Sequence, residues 1–482
     1  MDKTPLYREV AGRIAALVAG GTFKTGDRLP SIREMSRQAQ VSINTVKVAY
    51  SHLEDQCLIE ARPQSGYYVC PRSLQLPKEP KISRLSIGPQ EISSSKLVMR
   101  LMRDTTDTGK VQFGAAIPDP KLIPAQKLGR LLAGASRGHA AESAGYSTSP
   151  GNKYLRSQIA RWMLKAGCTL NPEELIITTG ASEAVFLALQ VLCKPGDTVA
   201  IGSPIYFNFV QMLQLLGLKV IEIPTSPSEG LHLDSLRHAL RTSTIACCLV
   251  ISNFSNPLGS SLTDAGKQEL VEMLAGAHVP LIEDDINGDL GHNDERPSVA
   301  KAWDRDGNVL LCSSFSKTLA PGYRVGWIAP GRYHEATLHR KLVSNIASAS
   351  PTQLAIAEFL ASGGYAHHLR VIRKAYAGKL ARMADAIGRY FPAGTRITRP
   401  TGGFSLWLEL PEDVDTVALY SRAENEHITI APGRIFSSGD GFRNCLRLNG
   451  AFWSEENRWA VQSLGKMAEE LCRKPPLESL EP

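Results

Sequence analysis

Apolar and polar residues alternate with the period of a helix at the start of the chain. Residues 5–19 place apolar side chains three or four positions apart, which predicts an amphipathic helix. Gly20-Gly21 ends this pattern. Ser31, with Glu34 three residues later, is typical of a capping box and predicts a second helix that runs to about Ala39.

A third helix and two short strands complete this first unit. Ser42 caps a predicted helix that runs from Ile43 to about Cys57. Residues 58–61 and 67–69 predict two strands on either side of the turn Gln64-Ser65-Gly66. A helix, a helix-turn-helix and a hairpin together form a winged helix-turn-helix, so we expect residues 1–70 to be a DNA-binding domain.

The third helix of this arrangement lies in the major groove with its first turns facing the bases. Polar side chains occupy that end of the helix, Arg33 on the second helix reaches a phosphate, and glycine at the wing tip lets backbone approach the minor groove. The alternative is a small helical domain whose polar residues are only solvated. The predicted DNA-binding residues are Arg33, Ser42, Asn44, Thr45, Lys47 and Gly66.

Residues 71–108 contain prolines among serines and lysines and lack an apolar period, which is typical of a linker. A helix is predicted within it from Ser94 to Met102. Residues 109–472 then alternate strand and helix patterns, which predicts an α/β body, and the proline-rich residues 473–482 predict a frayed tail.

Three kinds of side chain in the body suggest its chemistry. Lys317 lies among hydroxyl residues, and Arg324 follows seven residues later. The apolar run Val279–Ile282 predicts a buried strand that ends in acids, at Asp284 and Asp285. A lysine for a Schiff base, an acid for a pyridine nitrogen and a hydroxyl/arginine phosphate site are what pyridoxal 5′-phosphate (PLP) requires.

These motifs occur in an order and spacing that resemble the fold-type I aminotransferases. The motifs are Asn256-Pro257-Leu258-Gly259, Asp284-Asp285, Ser314-Phe315-Ser316-Lys317 and Arg324. The resemblance implies a mostly parallel sheet with helices on both faces and a smaller C-terminal α+β subdomain. It also implies PLP as the cofactor, with Lys317 as the catalytic lysine.

The resemblance implies a role for each matching residue. Asp284 pairs with the pyridine nitrogen with Asp285 behind it, Asn256 donates to the 3′-oxygen, and Arg447 grips a substrate or effector carboxylate. Tyr206 stacks on the ring, and Tyr146 reaches the phosphate of the neighbouring subunit of a homodimer. Phosphate-binding residues are Ala181, Ser182, Ser314, Ser316 and Arg324.

The first 70 residues resemble the winged helix of GntR-type regulators. The resemblance is carried by the segments 28–35, 41–46 and 60–69. A GntR head fused to an aminotransferase-like body is the layout of the MocR group, which the chain resembles over nearly its whole length. One position departs from that group, because Ile286 stands where many of its members have a tyrosine that donates to the 3′-oxygen.

The composition of the chain excludes some classes of protein but does not indicate a function. The chain has 482 residues, 43% of them hydrophobic, a formal net charge of +7, and no apolar run of the roughly 20 residues that span a bilayer. Its nine cysteines lack metal-ligand spacing, so we expect no metal site. Adjacent strand residues point to opposite faces, so we expect Cys247 and Cys248 to be buried thiols of a cytoplasmic protein.

Two functions remain open from the sequence. The first is a transcriptional regulator whose body binds PLP at Lys317 and senses PLP or an amino compound, which changes how the head binds its operator. The second is an active PLP-dependent aminotransferase that carries a DNA-binding head, and Ile286 in place of the tyrosine weakens it. Whether the head docks on its own body or on that of its partner also stays open.

Overall fold

The structure, a computed structural model, describes residues 5–472 with ten gaps. The gaps are residues 25, 56–57, 63–64, 71–75, 83–87, 89–95, 105–106, 108, 148 and 294. The tail predicted at 473–482 lies outside the described residues, as do residues 56–57 at the predicted end of the third helix.

The head has the helices and hairpin that its apolar pattern predicts. The capping box is present, with Glu34 N donating to Ser31 Oγ at 3.2 Å and Ser31 N to Glu34 Oε2 at 2.8 Å. Ser42 Oγ likewise accepts from Thr45 N at 3.0 Å, which caps the third helix. Both strands begin within one residue of the predicted positions. The elements are α1 (Leu6–Ala19), α2 (Ile32–Ala39), α3 (Ile43–Asp55), β1 (Ile59–Arg62) and β2 (Gly66–Val69).

The linker is partly packed against the body. Ile397 N donates to Lys78 O at 2.9 Å, and Lys81 N donates to Glu409 Oε2 at 2.8 Å. The sequence did not predict these contacts, because they join residues more than 300 positions apart. The helix predicted at 94–102 is present two residues further on, as α4 (Lys96–Asp104).

An eight-stranded sheet forms the centre of the body, in the order β4-β11-β10-β9-β8-β5-β6-β7. Strands β10, β9, β8, β5 and β6 are parallel, whereas β4, β11 and β7 join through antiparallel pairs. The strands are β4 (Ile176–Thr178), β5 (Thr198–Ser203), β6 (Lys219–Ser226), β7 (Gly230–Leu231), β8 (Cys247–Val250), β9 (Leu281–Asp284), β10 (Val309–Ser314) and β11 (Gly326–Ala329), and β3 (Val111–Gln112) lies outside this sheet.

Helices cover both faces of this sheet, as predicted. Cys247 packs in a buried cluster with residues of α8 and α9, whereas Cys248 packs with residues of α10 and α11. The two neighbouring thiols therefore point to opposite faces, as the strand pattern predicts. The helices of this part are α5 (Ala125–Gly138), α6 (Ala140–Ala144), α7 (Lys153–Met163), α8 (Ala181–Leu192), α9 (Phe207–Leu215), α10 (Leu233–Thr242), α11 (Asp264–Gly276), α12 (His334–Asn345) and α13 (Ser350–Ala361).

The C-terminal part is the smaller α+β unit that the sequence predicts. An antiparallel sheet in the order β12-β13-β16-β15 packs on long helices, and Trp407 and Leu446 lie in its core. Its elements are α14 (Gly364–Tyr390), β12 (Arg396–Ile397), β13 (Ser405–Glu409), α15 (Thr416–Asn425), β14 (Ile428–Thr429), β15 (Ala431–Pro432), β16 (Cys445–Asn449) and α16 (Arg458–Cys472). None of the helices in the described part of the chain has the length and apolar character required to span a membrane.

Candidate active site and nucleic-acid interface

A cavity of about 210 Å³ opens at the carboxyl ends of the parallel strands. Asp284 ends β9, Ser314 ends β10, and Lys317 follows in the next turn. Ligands of open α/β sheets bind at this edge, because loops from several strands converge there. Nine of the predicted site residues line it: Ala181, Ser182, Tyr206, Asn256, Asp284, Ser314, Ser316, Lys317 and Arg324.

The start of α8 and Arg324 form the anion-binding end of the cavity. Gly180, the N-cap, has φ +89°, so its backbone requires glycine, and α8 points its free N–H groups into the cavity at Ala181 and Ser182. Arg324 Nη2 donates to Thr179 O at 3.0 Å, and Nη1 donates to Ser316 Oγ at 3.2 Å. A helix N-terminus beside a guanidinium is suited to a phosphate.

Lys317 lies in a buried position where its amine is easily deprotonated. Burial lowers the pKa of this amine to about 8, and the cationic Arg447 adds to the effect while Asp284 opposes it. The amine donates a hydrogen bond to Ala116 O. A neutral lysine amine is the nucleophilic form that attacks a carbonyl group.

Asp284 and Asp285 point to different surroundings. Asp284 lines the cavity, and its Oδ1 accepts from Ile286 N at 3.1 Å. Burial raises the pKa of Asp284 to about 7, so a cationic ligand would favour its ionised form. Asp285 instead pairs with the buried Arg296 and accepts from Asn253 Nδ2 at 2.8 Å. Of the two acids, Asp284 faces the cavity, which fits the role predicted for it.

Arg447 is fully buried and is only partly satisfied by hydrogen bonds. Its Nη1 donates to Asn256 Oδ1 at 3.0 Å and its Nη2 donates to Gly114 O. Its Nε has no hydrogen-bond partner among the described residues. Burial lowers the pKa of Arg447 to about 10. A guanidinium pairs well with a carboxylate, but Arg447 is absent from the described lining of the cavity and reaches it only through Asn256.

Tyr206 and Ile286 both form part of the cavity wall. Tyr206, just before α9, contacts the ring of Phe209 edge-on with centroids 5.4 Å apart, and burial raises the pKa of its hydroxyl. Ile286, where the resemblance to the MocR group leads us to expect a tyrosine, also lines the cavity, and Tyr206 is the single tyrosine among the described lining residues.

Tyr146 is the predicted cofactor-binding residue that does not line the cavity of its own chain. Its side chain is 92% exposed, and it is absent from the lining of this chain's own cavity. Its predicted contact is to a neighbouring subunit, so its role remains a prediction.

Sequence reasoning missed several residues that shape the cavity. Phe254 has φ +47°, and a Cβ on Gly402 would lie 2.5 Å from its ring, so the two residues pack closely at the cavity wall. Asn287 Nδ2 donates to Phe254 O at 2.9 Å and holds this strained loop. No short motif marks these residues, although Gly402-Gly403 was a visible signal of close backbone approach.

The head exposes most of its predicted DNA-binding residues. Arg33, Asn44 and Lys47 are exposed on α2 and α3. Ser42 Oγ lies 2.8 Å from Thr45 Oγ1, so these two hydroxyls are partly engaged with each other. Gly66 opens β2 with φ +110°, which favours glycine at the wing tip.

The residues present fit PLP. The Gly180 turn leaves space for the Arg324 guanidinium rather than for a side chain, and Lys317 and Asp284 are among the described residues that line the cavity. Arg447 lies outside that lining but donates to Asn256, which belongs to it. Lys317 would hold the cofactor covalently, Asp284 would face its pyridine nitrogen, and Arg324 with Ser316 would hold its phosphate. When bound, PLP supplies an electron sink for bonds to the α-carbon of an amino compound.

A winged helix fused to a fold-type I aminotransferase body defines the class of this protein. The profile of the aminotransferase class I and II family matches residues 109–464, and that of bacterial regulatory proteins of the gntR family matches residues 6–69. The chain belongs to the HTH-type transcriptional regulators of MocR-type architecture, so it is a DNA-binding regulator whose body takes PLP as cofactor.

The comparisons extend over nearly the full length. The chain is 40% identical over 465 residues to the uncharacterized HTH-type transcriptional regulator YdcR of Escherichia coli, covering 96% of this chain and 99% of YdcR. It is 29% identical over 374 residues to 2-aminoadipate transaminase of Thermus thermophilus, covering 77% of this chain and 92% of that enzyme. The crystal structure of LysN, an α-aminoadipate aminotransferase of T. thermophilus complexed with N-(5′-phosphopyridoxyl)-L-leucine, superposes with a TM-score of 0.73 and 28% identity, covering 79% and 96% of the two chains.

Proposed function

We propose that this regulator senses PLP, or an amino compound that binds beside it, and thereby changes the affinity of its head for an operator. The observation that carries the proposal is the convergence of Lys317, Asp284 and Asn256 in one cavity, with Arg447 behind Asn256. A ligand changes DNA binding only through different affinities for two states of the protein. The effector must therefore contact residues that differ between those states.

The charged groups favour an effector that carries both an amine and a carboxylate. Arg447 offers a buried guanidinium to a carboxylate, and Lys317 marks the place of an amine that reacts with the cofactor. An α-amino acid carries both groups on one carbon. We therefore propose an amino acid or a close analogue as the amino compound that this body recognises.

The test measures operator affinity and the spectrum of the cofactor on the same sample. Full-length protein would be loaded with PLP, titrated with single amino acids, and followed from 300 to 500 nm. Affinity for double-stranded DNA selected from a random pool would be measured in parallel. We expect at least one amino acid to change both the spectrum and the DNA dissociation constant. Spectral change without any effect on DNA would contradict effector sensing.

An active aminotransferase is the second candidate function, and the lowered pKa of Lys317 favours it. A lysine amine with a pKa of about 8 can exchange protons near neutral pH. Turnover would appear as cofactor absorbance that an amino donor removes and 2-oxoglutarate restores. The same assay with Ile286→Tyr tests whether the missing phenol limits turnover. Absence of cycling in both proteins would leave the regulator as the sole function.

We also propose a homodimer in which Tyr146 of one subunit serves the cofactor site of the other. The 92% exposure of Tyr146 in the single chain supports a role outside its own cavity. We propose the cytoplasm as its site of action, because its DNA-binding head acts on double-stranded DNA. Tyr146→Phe should weaken PLP binding without changing the sedimentation of the dimer.

A further inference from the structure

Helix α14 holds the lysine segment of the cofactor site with its first two turns. His368 Nε2 donates to the carbonyl oxygen of Thr318, the residue after Lys317, at 2.8 Å. The Tyr365 hydroxyl lies 2.9 Å from Thr318 Oγ1. Both side chains are buried, so these contacts bind the helix tightly to the turn that carries Lys317.

The same helix also holds the acidic segment of the site. Arg373 Nε donates to Asp289 O at 2.7 Å, and the Tyr365 hydroxyl donates to Asp289 Oδ2 at 2.8 Å. Asp289 pairs with Arg296, which pairs with Asp285, the neighbour of Asp284. The inner face of α14 is therefore bonded to Thr318, next to Lys317, and through Asp289 and Arg296 to Asp285, next to Asp284.

The outer face of α14 contacts the DNA-reading helix. Lys374 follows Arg373 directly, and its Nζ donates to Ser51 Oγ of α3 at 2.6 Å. Along the helix axis, Lys374 lies only about 9 Å beyond His368. One continuous helix of 27 residues thus has the cofactor site on one side and the recognition helix on the other.

We infer that α14 couples the cofactor site to the recognition helix α3. The hydrogen bond between Lys374 and Ser51 would transmit a movement of the body to the head. The inference rests on the proposed function, since it needs an effector that changes DNA binding. Packed helices move as units, by about 1–2 Å between states, rather than deforming. A displacement of the Thr318 or Asp289 segment would therefore move Lys374 relative to α3.

The experiment measures the coupling factor, which is the ratio of the DNA dissociation constants of PLP-free and PLP-loaded full-length protein. The DNA is the pool-selected duplex described above. Lys374→Met removes the Nζ donor on the body, and Ser51→Ala removes the Oγ acceptor on the head without changing charge. Arg370→Met is the matched control, because Arg370 is exposed one turn earlier on the same face of α14 and its replacement removes the same charge.

We expect the unmodified protein to show a coupling factor of about 5–150, the usual range for allosteric proteins. Lys374→Met and Ser51→Ala should each reduce it by about two- to tenfold, the contribution of one hydrogen bond, and the double variant should reduce it no further than Lys374→Met, because both changes remove the same bond. Arg370→Met should retain the coupling factor, even where it weakens DNA binding itself.

The remaining outcomes separate the inference from the function on which it rests. Full coupling in both contact variants overturns the role of α14 and leaves effector sensing intact. If Arg370→Met loses as much coupling as the contact variants, the effect comes from the positive charge of this face of α14 and not from the Lys374–Ser51 contact. A coupling factor of unity in the unmodified protein, with PLP and with every amino acid tested, overturns both proposals.

Discussion

Arg324 leaves no space for a side chain at Gly180. A Cβ on Gly180 would lie 2.5 Å from Arg324 Nη2, and the glycine has φ +89°. Arg324 itself adopts φ +51°, which is uncommon for a residue with a side chain, whereas glycine adopts positive φ readily. A strained backbone conformation persists where the surrounding contacts enforce it. Here it directs the Arg324 guanidinium toward the N-terminus of α8.

Gly180→Ala should weaken PLP binding by displacing Arg324. The loss of one charged hydrogen bond, worth about 1.5–3 kcal/mol, corresponds to roughly ten- to a hundredfold in the dissociation constant. Gly196→Ala is the matched control, since Gly196 has φ +92° but nothing within 4 Å of the added Cβ. Fluorescence titration with PLP would measure both. Equal weakening in the two variants would assign the effect to backbone strain alone.

Lys317→Ala should abolish covalent attachment of PLP while the protein remains folded. Borohydride treatment followed by peptide mass analysis should find the cofactor on Lys317 in the unmodified protein only. Lys317→Arg serves as the control, because it retains a cation in the buried position but has no primary amine. Borohydride-stable PLP in either variant would show that another lysine holds the cofactor.

Arg447→Leu should raise the pKa of Lys317. Burial lowers that pKa to about 8, and Arg447 adds to the lowering because it disfavours a second buried cation. Covalent capture of PLP needs the neutral amine, so its rate should rise with pH through a midpoint near 8, and the variant's midpoint should lie higher. Arg443→Leu, on an exposed residue paired with Asp415, should leave the midpoint unchanged. A downward shift in Arg447→Leu would contradict the electrostatic argument.

Lys47→Ala should weaken DNA binding and reduce its dependence on salt. Lys47 is exposed near the start of α3, and removing one contact to a phosphate lowers the magnitude of the salt slope by about 1. Arg382→Ala is the control, because it removes the same charge from an exposed position on α14, and it should leave the salt slope unchanged. Binding isotherms at several salt concentrations would measure both slopes. Identical slopes in Lys47→Ala and the unmodified protein would place Lys47 outside the interface.

Local signals predicted the head well, because its structure depends on near neighbours. The Ser31–Glu34 capping box and the Ser42 cap form within three residues along the chain, so their sequence pattern is nearly their structure. The strand ends differed by one residue and α4 by two, where fraying and weak turn signals leave boundaries loosely specified.

The body was predictable in its motifs and less so in its contacts. Motif order placed Lys317, Asp284 and Asn256 in one site, because the carboxyl ends of parallel strands meet at one edge. No sequence pattern predicts the packing of the linker on Glu409, and Gly402-Gly403 indicates a close backbone approach without identifying Phe254 as the partner. Such contacts join distant residues whose individual types are ordinary.

Residue order and type were therefore enough to predict the two-part architecture, most of the residues that line the cavity and the helices of the head. Tertiary structure alone separated Asp284, which faces the cavity, from Asp285, which pairs with Arg296. It also left the Arg447 Nε without a partner among the described residues and brought Lys374 to Ser51. Side-chain direction and contacts across hundreds of residues depend on how the packed elements meet, which no local pattern encodes.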